Sequence, residues 1–311
     1  MERNEIKAAA TALAARGVFV GTSSWKYAGW RGQLYDESRY IWRGRFAEAR
    51  FEKLCLAEYA EVFKTVCVDA AYYKFPNASF LEQMAAQVPD DFQFAFKVTD
   101  EITVKHFPNM PRFGQRAGRP NENFLNASLF ESEFLRTCEP FRSKIGPLIF
   151  EFSRFSHKDF EHGRDFVAAL DSFLTRLPKG WQYGVEIRNR KFLHLEYFEV
   201  LARHNVAHIF NSWSDMPSLN EQLALPGSLT SADFLGARLL LRPGRKYEDA
   251  VKMFSPYQYI KDPYPEGQLG GAALIKSALD HKRRGYIYVN NRFEGNALQT
   301  IASMIELVKS R

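Results

Sequence analysis

The sequence predicts an α/β protein of the (β/α)8 TIM-barrel class, with long loops after the first and third strands. Three observations predict it. Short apolar runs alternate with longer amphipathic segments from one end of the chain to the other. The runs number eight, and each has a core of roughly 5–7 residues, β-branched or aromatic, as in strands buried on both faces of a parallel sheet. No G-x-G-x-x-G follows any of them, which argues against a doubly wound dinucleotide-binding sheet.

The elements follow in order. A helix over about 4–16 precedes a barrel over about 17–311, so residues 1–311 read as a single domain. The strand segments are GVFVGTSSW (17–25), TVCVDA (65–70), DFQFAFKV (91–98), GPLIFEF (146–152), WQYGVEIR (181–188), VAHIFNS (206–212), LGARLLLR (235–242) and GYIYVNN (285–291). Gly, Pro, Asn or Asp bounds each one, as strand ends require. Residues 53–63 put Leu54, Leu56, Tyr59, Ala60 and Phe63 on one side of a helix, and 78–87, 124–142, 164–177, 195–204 and 294–309 show the same period. Asn77 and Asp165 suit helix starts. Strand and helix in alternation give the barrel. Residues 26–52 and 99–123 exceed ordinary barrel connections, and loops longer than about 12–15 residues are usually functional or disordered. Both follow strands, so both belong to the C-terminal rim, where barrels bind substrate. Residues 212–232 and 243–268 are further rim excursions.

Composition narrows the function. The chain has 311 residues, 46% hydrophobic and 25% charged, which excludes disordered, collagen-like and coiled-coil proteins. No apolar run approaches the roughly 18 residues of a membrane span. Three cysteines, Cys55, Cys67 and Cys138, without metal or disulfide spacing, and a poor signal peptide predict a cytoplasmic protein. The net charge of +6 permits an anionic partner without requiring one.

The strand ends of a barrel converge on one mouth. Here they supply Thr22, Ser23 and Ser24, then Asp69, Lys97, Glu151, Glu186, Arg188, Asn211, Arg238, Arg242, Asn290 and Asn291. Two readings compete. These charges could form a purely structural ion network, since a buried ion must be paired. A ligand site explains better why ionised groups gather at one end, because Val, Ile and Leu fill barrel cores at less cost. Lys97, Arg188, Arg238 and Arg242 suit an anion, because guanidinium forks match phosphate or carboxylate oxygens. Asp69, Glu151 and Glu186 suit acid–base chemistry, or Mg²⁺, which takes oxygen ligands. The residues argue against zinc: His208 lies mid-strand and reads as core, and His106 stands alone in a loop. Cys67 alternates into an apolar strand and reads as core. The hydroxyls of Thr22, Ser23 and Ser24 lack a nucleophile elbow and read as backbone caps. In the first loop Trp25, Tyr27, Trp30, Tyr35, Tyr40 and Trp42 interleave with Lys26, Arg31, Arg39, Arg43 and Arg45. That mixture suits stacking on bases with contacts to phosphates, or on sugars, or packing of the loop on the barrel. The segment RFGQRAGR (112–119) adds three arginines.

At these residues the sequence resembles a known family. GTSSWKYAGWRG (21–32), TVCVDAAYYKFP (65–76), FAFKVTDEIT (94–103), GPLIFEF, YGVEIRNRKF (183–192) and YIYVNNRFEGNA (286–297) resemble, in order, the domain of unknown function 72 family, also called YecE-like. The resemblance spans nearly the whole chain. It implies a TIM barrel in which Tyr27, Trp30, Tyr73, Lys97, Glu186, Arg188, Arg238 and Asn291 occupy pocket positions. It implies departures as well: the family pattern has Glu at Cys67, Asn at Asp69, and His at Val104 and Asn189. It also implies kinship with endonuclease IV-type barrels, hence a nucleic-acid link, although the histidine-rich zinc set of those nucleases is absent here.

The leading expectation is a barrel that binds an anionic small molecule or nucleic acid at its rim and hydrolyses a phosphate ester. Arg188, Arg238 and Lys97 hold the anion, with Tyr27, Trp30, Tyr73, Arg242 and Asn291 around it. Glu186 or Asp69 acts as base or metal ligand, and Lys97 stands with them. The rivals are a glycoside hydrolase with paired carboxylates and a non-catalytic binding protein. Oligomeric state is not legible.

Overall fold

A computed structural model describes residues 2–310. Eight parallel strands close into one barrel: β1 (Val18–Thr22), β2 (Thr65–Val68), β3 (Gln93–Lys97), β4 (Ile145–Phe152), β5 (Tyr183–Ile187), β6 (Ala207–Ser212), β7 (Phe234–Leu239) and β8 (Arg284–Val289). The hydrogen-bonded order is β1-β8-β7-β6-β5-β4-β3-β2, returning to β1. Each of the eight predicted runs is therefore a barrel strand. The seventh ends at Leu239 rather than 242 and the eighth at Val289 rather than 291, so Arg242 and Asn291 lie on the loops.

Period-two alternation decides what fills the barrel. Cys67, Ala95, Ile149, Ile209, Phe234, Tyr286 and Tyr288 point inward and form one buried cluster. Gly184 and Gly236 make room for Ile209. A methyl group on either would lie 2.4 Å from Ile209 Cδ1. Larger Phe, Leu and Ile side chains on the other strand faces pack against the surrounding helices.

The predicted helices occur with shifted bounds: Arg3–Ala15, Ala78–Ala85, Gly163–Thr175, Leu195–Arg203 and Ala297–Lys309. Three expectations need correction. The helix expected from 53 begins at Glu48 (Glu48–Ala60), because Phe51 packs edge-on against Tyr35 and Tyr40 at 5.0 and 5.1 Å and nucleates an earlier turn. The helix expected over 124–142 is interrupted: Phe130–Leu135 is a π-helical turn between Ala127–Leu129 and Arg136–Cys138. The excursions at 212–232 and 243–268 carry short helices, Leu219–Leu223 and Tyr247–Phe254, and a sixteen-residue helix, Pro265–Asp280, fills the β7–β8 connection.

The first long loop (23–47) is ordered by its aromatics. Trp30, Tyr35 and Tyr40 are all buried, so packing, not base stacking, accounts for them. Trp42 alone among the six aromatics read there stands out, at 60% exposed. The third-strand loop opens with the short helix Asp100–Thr103 and closes around a small cluster of Val104, Phe107 and Phe113.

Candidate functional site

The alternation that buries Cys67, Ala95, Ile149 and Gly236 carries two residues further to Asp69, Lys97, Glu151 and Arg238. The same step along β5 passes from Gly184 to Glu186, then to Arg188. All six charges meet at the C-terminal mouth. Arg238, 2% exposed, donates from Nη1 to Glu186 Oε2 at 2.7 Å and from Nη2 to Asp69 Oδ1 at 2.8 Å. Arg188 donates from Nε to Glu186 Oε1 at 3.0 Å and from Nη2 to Glu151 Oε2 at 2.9 Å. Lys97 pairs with the same Glu151 oxygen. Three acids thus answer three cations, and the inner ring is neutral. Aromatic faces close two of the cations from above: Trp213 lies 3.7 Å from the Arg188 guanidinium and Tyr72 3.4 Å from Lys97 Nζ, distances at which ring quadrupoles attract cations.

Burial opposes the ionisation of Glu151, but Arg188, Lys97 and Arg238 outweigh it and hold the carboxyl well below its usual range. Burial likewise pulls Lys97 below the ordinary ammonium value, against the attraction of Glu151. Burial acts on Arg238 in that sense too, yet Glu186 and Asp69 keep it firmly charged. The ring is therefore an ionised, interlocked floor, and the carboxylates face guanidinium groups rather than one another. Among the described residues no group of three or more His, Cys, Asp or Glu is arranged to hold a metal. Arg238 stands between Asp69 and Glu186, the two acids read as metal ligands.

The remaining expected residues divide. Tyr73 is 59% exposed at the mouth. Tyr27 is half-buried against Trp30 and Tyr257, at 4.8 and 5.4 Å, and burial pushes its hydroxyl up to about 12. Trp30 is fully buried, so it supports Tyr27 and does not face a ligand. Arg242 is not part of the ring: with Arg245 it pairs to Asp262. Asn291 is buried and its Oδ1 accepts from Ala297 N at 2.7 Å. His208 is core as expected, packed on Tyr197, Phe198 and Phe210, and burial lowers it to about 3. His106 is held by Asp159 at 2.6 Å. Cys67 is buried, and burial raises its thiol to about 12.

Sequence reasoning singled out Tyr73 and the arginines of 112–119 but missed the outer tier they form with Tyr247 and Arg292. Arg112 lies over Tyr73 at 5.5 Å, and Arg292 over Tyr247 at 4.6 Å. Neither arginine makes an ion pair among the described residues. Tyr73 feels burial first, then Arg112, Asp69 and Tyr247, while Arg292, Asp69 and Tyr247 are among the charged and phenolic neighbours of Tyr27. Two free guanidiniums and three tyrosines thus gather around the exposed edge of Asp69. Several buried polar atoms near the strand ends also lack a hydrogen-bond partner among the described residues: Ser23 Oγ, Asn211 Oδ1, Arg238 Nε and Asn291 Nδ2. Only Trp213, directly after β6, could have been read from its position; Arg292 and Tyr247 give no local signal.

Residues 19–311 match the model of the family described as "Protein of unknown function DUF72". The UPF0759 protein YecE of Escherichia coli (strain K12) is 28% identical over 137 residues, a stretch covering 44% of this chain and 42% of that protein. The chain thus matches less than half the length of that curated relative. Two solved structures share the fold. A DUF72 family protein from Enterococcus faecalis superposes with a TM-score of 0.60 at 15% identity, over 94% of this chain and 97% of that one. Another from Thermotoga maritima gives 0.56 at 19%, over 94% and 99%.

Proposed function

This chain belongs to the DUF72 family, and from that premise we propose that its barrel mouth binds an anionic, phosphorylated ligand above the neutral ion ring. One observation carries the reading: Arg112 and Arg292 stand over exposed tyrosines without an ion-pair partner among the described residues, beside a ring whose own charges are all answered. Free guanidiniums at the edge of a low-dielectric floor attract anions more strongly than solvated ones, and their forked donors match phosphate oxygens. On this reading the anion sits on the outer arginines, because Lys97 and Arg238 are already paired within the ring.

Titration calorimetry with inorganic pyrophosphate tests this. Wild type binds, and Arg112→Ala and Arg292→Ala each weaken binding by about tenfold, the worth of one charge-assisted contact. Unchanged affinity in both variants, or no binding by wild type, sinks the reading.

A second reading, hydrolysis of a phosphate ester at the same place, is favoured by Asp69. Its side chain is 35% exposed, Oδ1 is fixed by Arg238, and Oδ2 accepts no hydrogen bond among the described residues. It is the ring carboxylate placed to take a proton from water, with Arg238 as its positioning residue. Glu186 has both oxygens engaged at zero exposure, so the base role passes to Asp69. Asp69→Asn keeps pyrophosphate affinity and abolishes turnover of p-nitrophenyl phosphate; equal turnover in the variant removes this reading and leaves the first. Nothing favours the glycoside hydrolase: Glu151 and Glu186 are each locked to arginine, and the ionised Glu151 has no proton to give.

A further inference from the structure

A second cleft opens beside the mouth, between the loops after β4 and β5, with a volume of about 670 Å³. Its apolar wall is made by Phe155, Phe160 and Phe192. Its rim carries four cations, Arg154, Arg188, Arg190 and Lys191, against two acids, Glu161 and Asp215. Arg154 is answered by Asp215 at 3.1 Å, whereas Arg190 and Lys191 are exposed and make no ion pair among the described residues. Arg188 is the link to the ring. Its Nε and Nη2 bond the floor carboxylates, and its Nη1 makes no hydrogen bond among the described residues although the side chain is only 10% exposed. Asn189 fixes the cleft's width by clasping Phe155: Oδ1 accepts from its N–H at 2.8 Å and Nδ2 donates to its carbonyl at 3.1 Å.

An aromatic wall facing a basic rim asks for a ligand that is flat and apolar at one end and anionic at the other. We propose that this cleft seats a nucleotide unit, its base against the phenylalanine wall and its phosphate on Arg188 Nη1, Arg190 and Lys191. The proposal rests on the reading that the mouth binds a phosphorylated ligand, and it names that ligand's class. A sugar phosphate would leave the three rings unused. A free nucleotide and one unit of a single strand share this chemistry. The strand has room to continue, because His157, Glu161, Lys191 and Phe192 also border a neighbouring groove of about 490 Å³ between the helices Gly163–Thr175 and Leu195–Arg203.

Fluorescence anisotropy with labelled adenosine monophosphate and a labelled single-stranded decamer tests it, using wild type, an Arg190→Ala/Lys191→Ala double variant and Arg112→Ala. The double variant touches exposed side chains and keeps the fold. Its affinity for both probes drops about tenfold or more. Comparable wild-type affinities point to the free nucleotide; much tighter binding of the decamer points to the strand. Unchanged binding in the double variant, with loss in Arg112→Ala, overturns this proposal and leaves the mouth reading standing. Failure of wild type to bind pyrophosphate overturns the mouth reading itself. Displacement of the label by ribose 5-phosphate as well as by adenosine monophosphate overturns the role of the phenylalanine wall.

Discussion

Arg238 shows what a single side chain contributes at the ring. It is buried at the barrel mouth and bridges Asp69, just after β2, to Glu186 on β5. Removing one partner of a buried pair leaves the other charge uncompensated, at about 3–5 kcal/mol. Arg238→Met, which keeps volume and removes charge, is expected to lower unfolding free energy by that amount in urea titrations. Asp69→Asn, at the ring's exposed edge, costs about 1 kcal/mol or less because water replaces what is lost. Similar losses in the two variants would show that the ring is not graded from sealed floor to open edge. The ring was legible before the fold because period-two alternation places each member two residues past a core residue. Its pairing was not legible: nothing in the order of Glu186, Arg188 and Arg238 says which oxygen meets which nitrogen. Tyr247 and Arg292 were invisible, since loops of different lengths bring them to one spot.

The helix Pro265–Asp280 shows why one element escaped sequence reading. Three of its sixteen residues, Gly267, Gly270 and Gly271, are poor helix formers, and they erase the apolar stripe that marks the other helices. They are there for close packing. A methyl on Gly267 would sit 2.4 Å from both Phe293 Cζ and Tyr264 Cδ1. Gly→Ala in an open helix gains about 1 kcal/mol, but here two rigid rings must move, and overpacking costs about 1–3 kcal/mol. Gly267→Ala is therefore expected to destabilise the protein on balance, read as a lower urea midpoint with unchanged slope. A raised midpoint would mean that the rings yield freely. In the first long loop, packing of the aromatics on the barrel was among the readings the sequence offered. Its aromatics were legible as a group, but their burial beneath Phe51 depends on a helix that starts a turn earlier than its own periodicity indicates.

At the scale of the whole molecule, two buried groups on different elements, His208 within β6 and Asp100 in the short helix after β3, set opposed pH dependences. His208 is held near 3 by burial, below the ordinary value of about 6.5. As pH falls through 6.5 the unfolded chain takes up a proton that the fold refuses, so stability drops by up to about 1.4 kcal/mol per pH unit until pH nears 3. Asp100, 4% exposed, is raised to about 6 by burial, with Arg116 and Arg112 only partly offsetting it. Between its ordinary value of about 3.9 and 6 the unfolded chain releases a proton that the fold retains, so stability drops as pH rises. Across roughly pH 4–6 the two slopes oppose each other, and the wild-type protein is expected to show a shallow profile there. Below about 4.3, the ordinary glutamate value, Glu151 adds a loss of its own, since its folded value is depressed and its contribution fades with acid. Two variants separate the slopes. Asp100→Asn leaves His208 unopposed and steepens the loss of stability from pH 6 to pH 4, while raising stability at pH 7 by on the order of 1–2 kcal/mol. His208→Phe, which the surrounding Tyr197, Phe198 and Phe210 accommodate, leaves Asp100 unopposed, so stability increases from pH 6 to pH 4. Urea midpoints at half-unit intervals decide it: profiles that diverge in opposite directions from wild type support the opposition, and three parallel profiles remove it.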